Sequence, residues 1–334
     1  RRPPRTTLFP NTTLFRSEER TLAATLLRVD QESAFLTVRN QELLVEIARS
    51  QGKEGMDSAY RFACISLENN TNHFAILDLI KDQAYFARLD FCEEGSSENE
   101  TIYLGKIGFI SRETSEVIIV DWREPIATLY YGGTEGTSTY EAPVGVVECE
   151  VNLKRQMEIE DDLIKRIVDT QISAAIYGDS TGIPTDEFLL SRLGQQSDRR
   201  LRDIVSTIQK EQNSIIRANL DQPLVVQGVA GSGKTTVALH RLAYLLYRYR
   251  DKLSPEDVLV IAPNRVFLTY ISDVLPSLGV NDVAQSTLTE YLQNIYGKGL
   301  NVVSKKASHF HADTEDPYSN VFAKAQISSI IIKG

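Results

Sequence analysis

The 334-residue chain is 42% hydrophobic and 24% charged, with a formal net charge of −9. This balance suits two or three packed units of a soluble, cytoplasmic protein, and no apolar run approaches the roughly 20 residues a membrane span needs. The charge is uneven: residues 206–334 hold 13 Lys and Arg against 11 Asp and Glu, a net +2, so the first 205 residues carry a net −11, a poor surface for a polyanion. Cys64, Cys92 and Cys149 lack CxxC spacing and read as reduced thiols without a metal.

Residues 1–17 repeat TTLF at 6–9 and 12–15, have no periodic apolar face, and read as a non-native segment or a disordered basic tail. From 18 to 83 the apolar residues fall at helical spacing, as in Leu22, Leu26, Val29 and again Leu43, Leu44, Ile47. They predict a helical, coiled-coil-like arm, preferably an antiparallel hairpin, in which SQGKEG (50–55) and NNTN (69–72) are each able to break a helix. Residues 84–152 change to β-branched and aromatic runs, IYLGKIGFI, EVIIVDW and ATLYY, and predict a small β-rich unit. There VIIVDWRE (117–124) imitates a strand ending in Mg²⁺-binding acids, but Asp121 and Glu124 are not adjacent, and Trp122 with Arg123 suits packing or an ion pair. Glu93, Glu94, Glu98 and Glu100 read as a solvated loop, with a basic partner protein as the alternative. His309 and His311 read as polar loop rather than a metal site. Residues 153–205 return to helical spacing, clearest in DDLIKRIVDTQISAAI, and predict a helical connector.

The chemistry concentrates in residues 206–334. In PLVVQGVAGSGKTTVALHRLAYLLYRYR, Leu224–Val226 predict a buried strand, residues 228–235 match GxxxxGK[ST], and the spacing from Thr235 onward predicts a helix. A phosphate needs backbone N–H groups converging on one point; Gly228, Gly231 and Gly233 permit those turns, and Val229, Ala230 and Ser232 complete the loop. The helix start at Lys234, Thr235 and Thr236 adds its dipole. Lys234 is placed to reach the β- and γ-phosphates, and Thr235 to supply a hydroxyl to Mg²⁺. A second strand at Val258–Ala262 follows at the spacing of a parallel crossover, then a helix from about 266 to 278 and a third strand near 283–286. The fold class expected is α/β: a partial P-loop NTPase parallel sheet preceded by the helical arm and the β-rich unit.

The loop, with Gln212 ahead of it in TIQKEQNSIIR and APN at 262–264 behind it, resembles the first motifs of UvrD-like superfamily I helicases. That resemblance implies ATP and Mg²⁺ as cofactors, Gln212 on the adenine, and nucleic acid near Pro263 and Asn264. A narrower likeness runs in order through AYFARLDF, IYLGKIGFI, DWREPIATLYY, LKRQ, IVSTIQKEQNSIIR, HRLAYLLYRYR and VLPSLG, covering about residues 84–296. These segments resemble the HelD group of RNA polymerase recycling factors. The resemblance implies that residues 18–83 form an arm entering the polymerase secondary channel and that the motor uses ATP while nucleic acid is released. An apolar strand ending in adjacent Asp and Glu and the arginines of a second motor lobe are missing, so residues 206–334 are expected to be an incomplete motor lobe of a fragment that hydrolyses ATP negligibly. The alternatives are a DNA helicase or translocase that unwinds duplex, and a non-enzymatic protein-binding module.

Overall fold

The computed structural model describes residues 12–50, 58–132, 137–160, 162–170, 205–296 and 329–332. Residues 1–210 and 211–334 form two compact units. The chain is mixed α/β, with a helical N-terminal arm and mixed sheets.

In the first unit, α1 (Thr12–Ser50) and α2 (Ser58–Asp82) make the arm. The buried seam of α1 repeats every seven residues: Leu22, Val29, Leu36 and Leu43 are at most 2% exposed, a coiled-coil spacing in which each such side chain contributes about 2 kcal/mol. The intervening seam positions are polar, Glu18, Thr25 and Glu32, and these too are buried. Facing them, Ala63, Leu77 and Ile80 of α2 are buried. Asn70 Nδ2 donates to Asn40 Oδ1 at 2.7 Å, a polar pair that fixes one register between the helices. The expected break at NNTN does not occur, because Asn70 is satisfied across the pair and Thr71 donates to the Leu67 carbonyl at 2.8 Å. Part of the expected tail, Thr12–Ser17, lies within α1; residues 1–11 and 51–57 lie outside the described residues.

The arm packs on a sheet of seven strands: β1 (Ala87–Glu93), β2 (Glu100–Gly105), β3 (Phe109–Ile110), β4 (Val117–Asp121), β5 (Thr137–Ala142), β6 (Gly145–Glu160) and β7 (Leu163–Thr170). The order is β3-β4-β2-β1-β6-β5, with β7 also pairing β6. Sixteen residues long, β6 pairs with β1 on one side, and on the other with β5 through its first half and β7 through its second. Two cores result. Leu22, Val29 and Leu36 meet Leu77, Tyr85, Ile119, Met157 and Ile164 in one, while Leu89, Phe91, Leu129, Cys149 and Val151 form the other.

Two expectations fail here. The connector predicted over 153–205 is strand over its first part, since 153–160 belong to β6 and 163–170 to β7; residues 171–204 lie outside the described residues. Asp162 takes a left-handed φ of 61°, Glu160 pairs with Leu163, and the returning chain sends Ile164 and Ile167 into the arm core. That burial overrides a spacing equally compatible with a helix. ATLYY is likewise no strand: Pro125 opens a 3₁₀ turn, Pro125–Ala127, that runs into the short helix α3 (Thr128–Tyr131). At the imitation metal strand, Arg123 Nη2 lies 2.7 Å from Asp121 Oδ2 and Trp122 is 1% exposed, so these residues form an ion pair and a core plug.

In the second unit, α4 (Lys210–Ile216) precedes the glycine loop, α5 (Lys234–Arg248) follows it, and β8 (Val258–Ala262), α6 (Arg265–Val274), β9 (Ala284–Thr287), α7 (Leu288–Tyr296) and β10 (Ser329–Ile332) complete the described elements. β8 pairs in parallel with β9 and antiparallel with β10, so the three-stranded sheet is mixed. Leu224–Val226 is not a strand, and Val225 is 82% exposed. A strand exists through its ladder; in the described sheet β8 pairs with β9 and β10, and Leu224–Val226 pairs with none of these strands.

Candidate functional site

The glycine loop runs from Gly228 into α5. Gly231 and Gly233 have φ of 82° and 78°, the left-handed region that side-chain-bearing residues enter only with strain. At Gly228 the constraint is contact: a Cβ there would lie 2.6 Å from Ser232 Oγ. Ser232 N–H donates to the Val229 carbonyl at 3.2 Å and closes the loop. Val229, Ala230, Gly231 and Ser232 face solvent, with Val229 79% exposed.

Gly233 caps α5 without contributing a side-chain hydrogen bond. An amphipathic helix of 15 residues thus presents its N-terminus, the positive end of its dipole, to the loop. Thr235 is half-buried in the first turn and Thr236 is buried behind it. Lys234 folds back over the loop, its Nζ donating to the carbonyls of Gly228 at 2.9 Å and Val229 at 2.7 Å. The carbonyls act on the ammonium as anionic oxygens would, and the cation is held at the mouth of the loop.

Gln212 reaches the same place. Its Nε2 lies against Gly233, where an added Cβ would approach it to 3.5 Å. The helix that carries it is tied to α5 through Arg241, whose guanidinium donates to the carbonyls of Ile215, Ile216, Ala218 and Asn219. Arg217 also lies 5.0 Å from the centre of the Tyr244 ring. Sequence reasoning missed Arg241, since a carbonyl clamp leaves no pattern beyond one arginine on a helix. It missed His240 as well. This imidazole is buried, with Nδ1 2.7 Å from the Thr236 carbonyl, and burial pushes its pKa down to about 4.

The loop therefore brings Gln212, Gly228, Gly231, Gly233 and Lys234 together, with Thr235 and Thr236 at the helix start. Pro263 and Asn264 are exposed at the end of β8. Asn264 is occupied locally: its Oδ1 accepts from the Phe267 N–H at 2.9 Å and caps α6. The next residue, Arg265, is paired with Glu290, its Nε 2.7 Å from Oε1.

A model of the DNA helicase IV HelD N-terminal domain family matches residues 15–181, half of the chain. The chain belongs to the HelD N-terminal domain family. A second family model, the UvrD/REP helicase N-terminal domain, matches residues 208–265, which span α4, the glycine loop, α5 and β8. Comparison with curated proteins gives no match. The HelD-family match covers the arm and the β-rich sheet, and the UvrD/REP match covers the loop, so this is a HelD-type, UvrD-like helicase-family chain. Among its described residues no helix is long and apolar enough to cross a membrane.

Proposed function

We propose that the chain is the ATP-binding portion of a helicase-family ATPase whose complete form remodels or recycles RNA polymerase. The observation that carries the nucleotide reading is the position of Lys234, held over the carbonyls of Gly228 and Val229 at the start of α5, where the glycine cap adds no side chain. In this reading the loop amides from Val229 to Thr236 receive the phosphates, Lys234 neutralises the β- and γ-phosphates, Thr235 binds Mg²⁺, and Gln212 recognises the adenine. The parallel P-loop sheet belongs to the same proposal, and the parallel pairing of β8 with β9 is what supports it. The metal ion would supply charge neutralisation at the phosphates.

ATP turnover by this chain is expected near background. No apolar run of the sequence ends in an adjacent Asp–Glu pair of the kind that orients water and holds the second side of Mg²⁺. The unit boundaries proposed are an arm at 18–83, a β-rich unit from 84 that runs through β6 and β7 to Thr170, and a motor lobe at 206–334. The family supports RNA polymerase or nucleic acid as partners. A duplex-unwinding reading has less support, because Asn264 is engaged as a helix cap and Arg265 by Glu290.

The test is nucleotide binding by the whole chain against its Lys234→Ala form. A loss of at least about tenfold in ATP affinity is expected from removing a charge-assisted phosphate contact; equal affinity would remove the phosphate cradle from the reading. Capture of core RNA polymerase by the same chain tests the partner. Absence of binding, under conditions where a full-length family member binds, would sink that part.

A further inference from the structure

Within the arm, α2 meets α1 through a row that includes Ala63, Asn70 and Leu77: the first and last are buried, and the middle one bonds to Asn40. The opposite face of α2 carries Phe62, Ile65, Asn69, Asn72, Ile76 and Leu79, at alternating steps of three and four residues. That spacing is itself a coiled-coil seam. Its six side chains are all uncharged and all exposed, although the outward positions of a helix pair are ordinarily the charged ones. The four large apolar ones are between 39% and 65% exposed. A contiguous apolar row in solvent marks an interaction surface, so α2 has two seams, one facing α1 and one facing outward.

The outer row has the same spacing and the same chemistry read from either end. Laid against its own reverse, Phe62 meets Leu79, Ile65 meets Ile76 and Asn69 meets Asn72, so bulky apolar side chains oppose one another and amide opposes amide. A two-fold interface needs this self-complementarity, because what one residue meets on the partner must meet it in return. The charges agree with it. One flank of the row holds Arg61, Glu68, Ala75 and Asp82 at seven-residue steps, and antiparallel pairing sets Arg61 against Asp82 at both ends and Glu68 against Ala75. On the other flank Ser66 meets His73. Parallel pairing would instead put Arg61 on Arg61, Glu68 on Glu68 and Asp82 on Asp82. The helix α1 also exposes Leu27 and Val38, but only Ala34 lies between them among apolar residues of that face, and the flanking Arg28 and Glu42 are already bound to Glu116 and Arg39.

We propose that the outer face of α2 is a self-association surface, on which a second copy of this chain docks antiparallel about a two-fold axis passing between Asn70 and Thr71. Asn69 and Asn72 then meet twice beside the axis, and each carboxamide has both a donor and an acceptor to offer. The apolar pairs on either side drive the association, while the amides and the terminal charges set its direction and register. The row spans about 26 Å of helix. Such an interface is small, and a weak dimer with a Kd of about 10 µM is expected. The dimer covers the outer face of α2, so any other protein that binds that face competes with the second copy.

Sedimentation equilibrium of the whole chain from about 1 to 300 µM tests the proposal, and the expected result is a monomer–dimer equilibrium. Arg61→Asp alone, which brings like charges together at both ends, should raise Kd about tenfold, and Arg61→Asp combined with Asp82→Arg should restore it to within about twofold of wild type. Ile65→Lys combined with Ile76→Lys should leave monomer throughout. A wild type that stays monomeric across the range would overturn the proposal and leave the face to a different partner protein. A dimer that survives the two lysines would lie on another surface and overturn it as well. A dimer lost with the lysines yet indifferent to the charge exchanges would overturn the antiparallel pairing. If the lysine variant lacks a cooperative melt, the charge exchanges decide alone, and failure of the double exchange to restore association would overturn the proposal.

Discussion

Arg155 Nη1 lies 2.6 Å from Glu18 Oε1, joining β6 to the first turns of the arm. Glu18 is wholly buried and also receives Arg88 Nη1 at 3.0 Å and the Tyr103 hydroxyl at 3.0 Å. Each arginine has a second carboxylate, Asp90 for Arg88 and Asp169 for Arg155, so the charges of the network alternate in sign from the exposed Asp169 to the buried Glu18. Replacing Glu18 with Gln leaves two guanidinium groups facing a neutral amide, and a loss of about 3 kcal/mol is expected for breaking a buried pair on one side. Thermal melts, together with faster amide exchange over residues 15–30, check it. An unchanged melt would mean that the network does not hold the arm.

His240 makes the stability of the P-loop helix sensitive to acid. Its folded pKa of about 4 lies below the ordinary 6.5, so between those values the unfolded chain binds more protons and stability falls with falling pH. The contribution is fully present above pH 6.5 and lost by pH 4, about 3 kcal/mol in all. Acid unfolding of the wild type compared with His240→Gln isolates it. The wild type should lose more stability over this window, and parallel curves would contradict the assignment.

Asn264 is expected to behave as a helix cap. Asn264→Ala should cost about 1 kcal/mol, while Asn264→Asp, which keeps the acceptor for Phe267 N–H, should cost little. Denaturant unfolding without nucleic acid measures this. If neither variant changes stability, while single-strand binding by the chain falls, Asn264 serves the ligand instead.

The three thiols should react in a defined order. Burial first, then the neighbouring carboxylate of Glu93, pushes the Cys149 thiol up to about 11, whereas Cys64 and Cys92 are half-buried. A thiol reagent reacts with the thiolate, so Cys64 and Cys92 should be labelled in the native chain and Cys149 only after unfolding. Peptide mass mapping over a time course reads the order, and early labelling of Cys149 would refute it.

What was legible in the sequence was whatever local chemistry determines. The glycines at 231 and 233 announce their turns because other residues enter those conformations only with strain, and the helical spacing of Leu22, Val29 and Leu43 announces the buried seam of α1. The strand β7 was not legible, because LIKRIV has apolar residues three and four apart and reads as helix until β6 is there to pair with it. ATLYY failed for the opposite reason: its aromatic residues suit a strand, but Pro125 starts a turn and the hydroxyls of Tyr130 and Tyr131 donate to the carbonyls of Ser206 and Val205 on a distant segment. Leu224–Val226 shows the limit of the motif itself. A strand before a P-loop is a property of the sheet it joins, and apolar character alone does not provide the ladder. Arg241, Tyr130 and Tyr131 act on main-chain carbonyls, which every residue has, so their partners carry no mark in the sequence.

The long strand β6 also bears on the order in which the chain assembles. α1 and α2 pair through contacts close in sequence and are able to zip early, but Glu18 meets Arg155 only across 137 residues. Closing so long a loop is slow compared with forming a helical hairpin. During synthesis the arm therefore waits with its seam carboxylate and lower leucines uncovered until β6 and β7 have emerged, and its docking is a late event of folding. A helper that shields the arm base in that interval would raise the yield of folded chain more than one that acts on the P-loop unit.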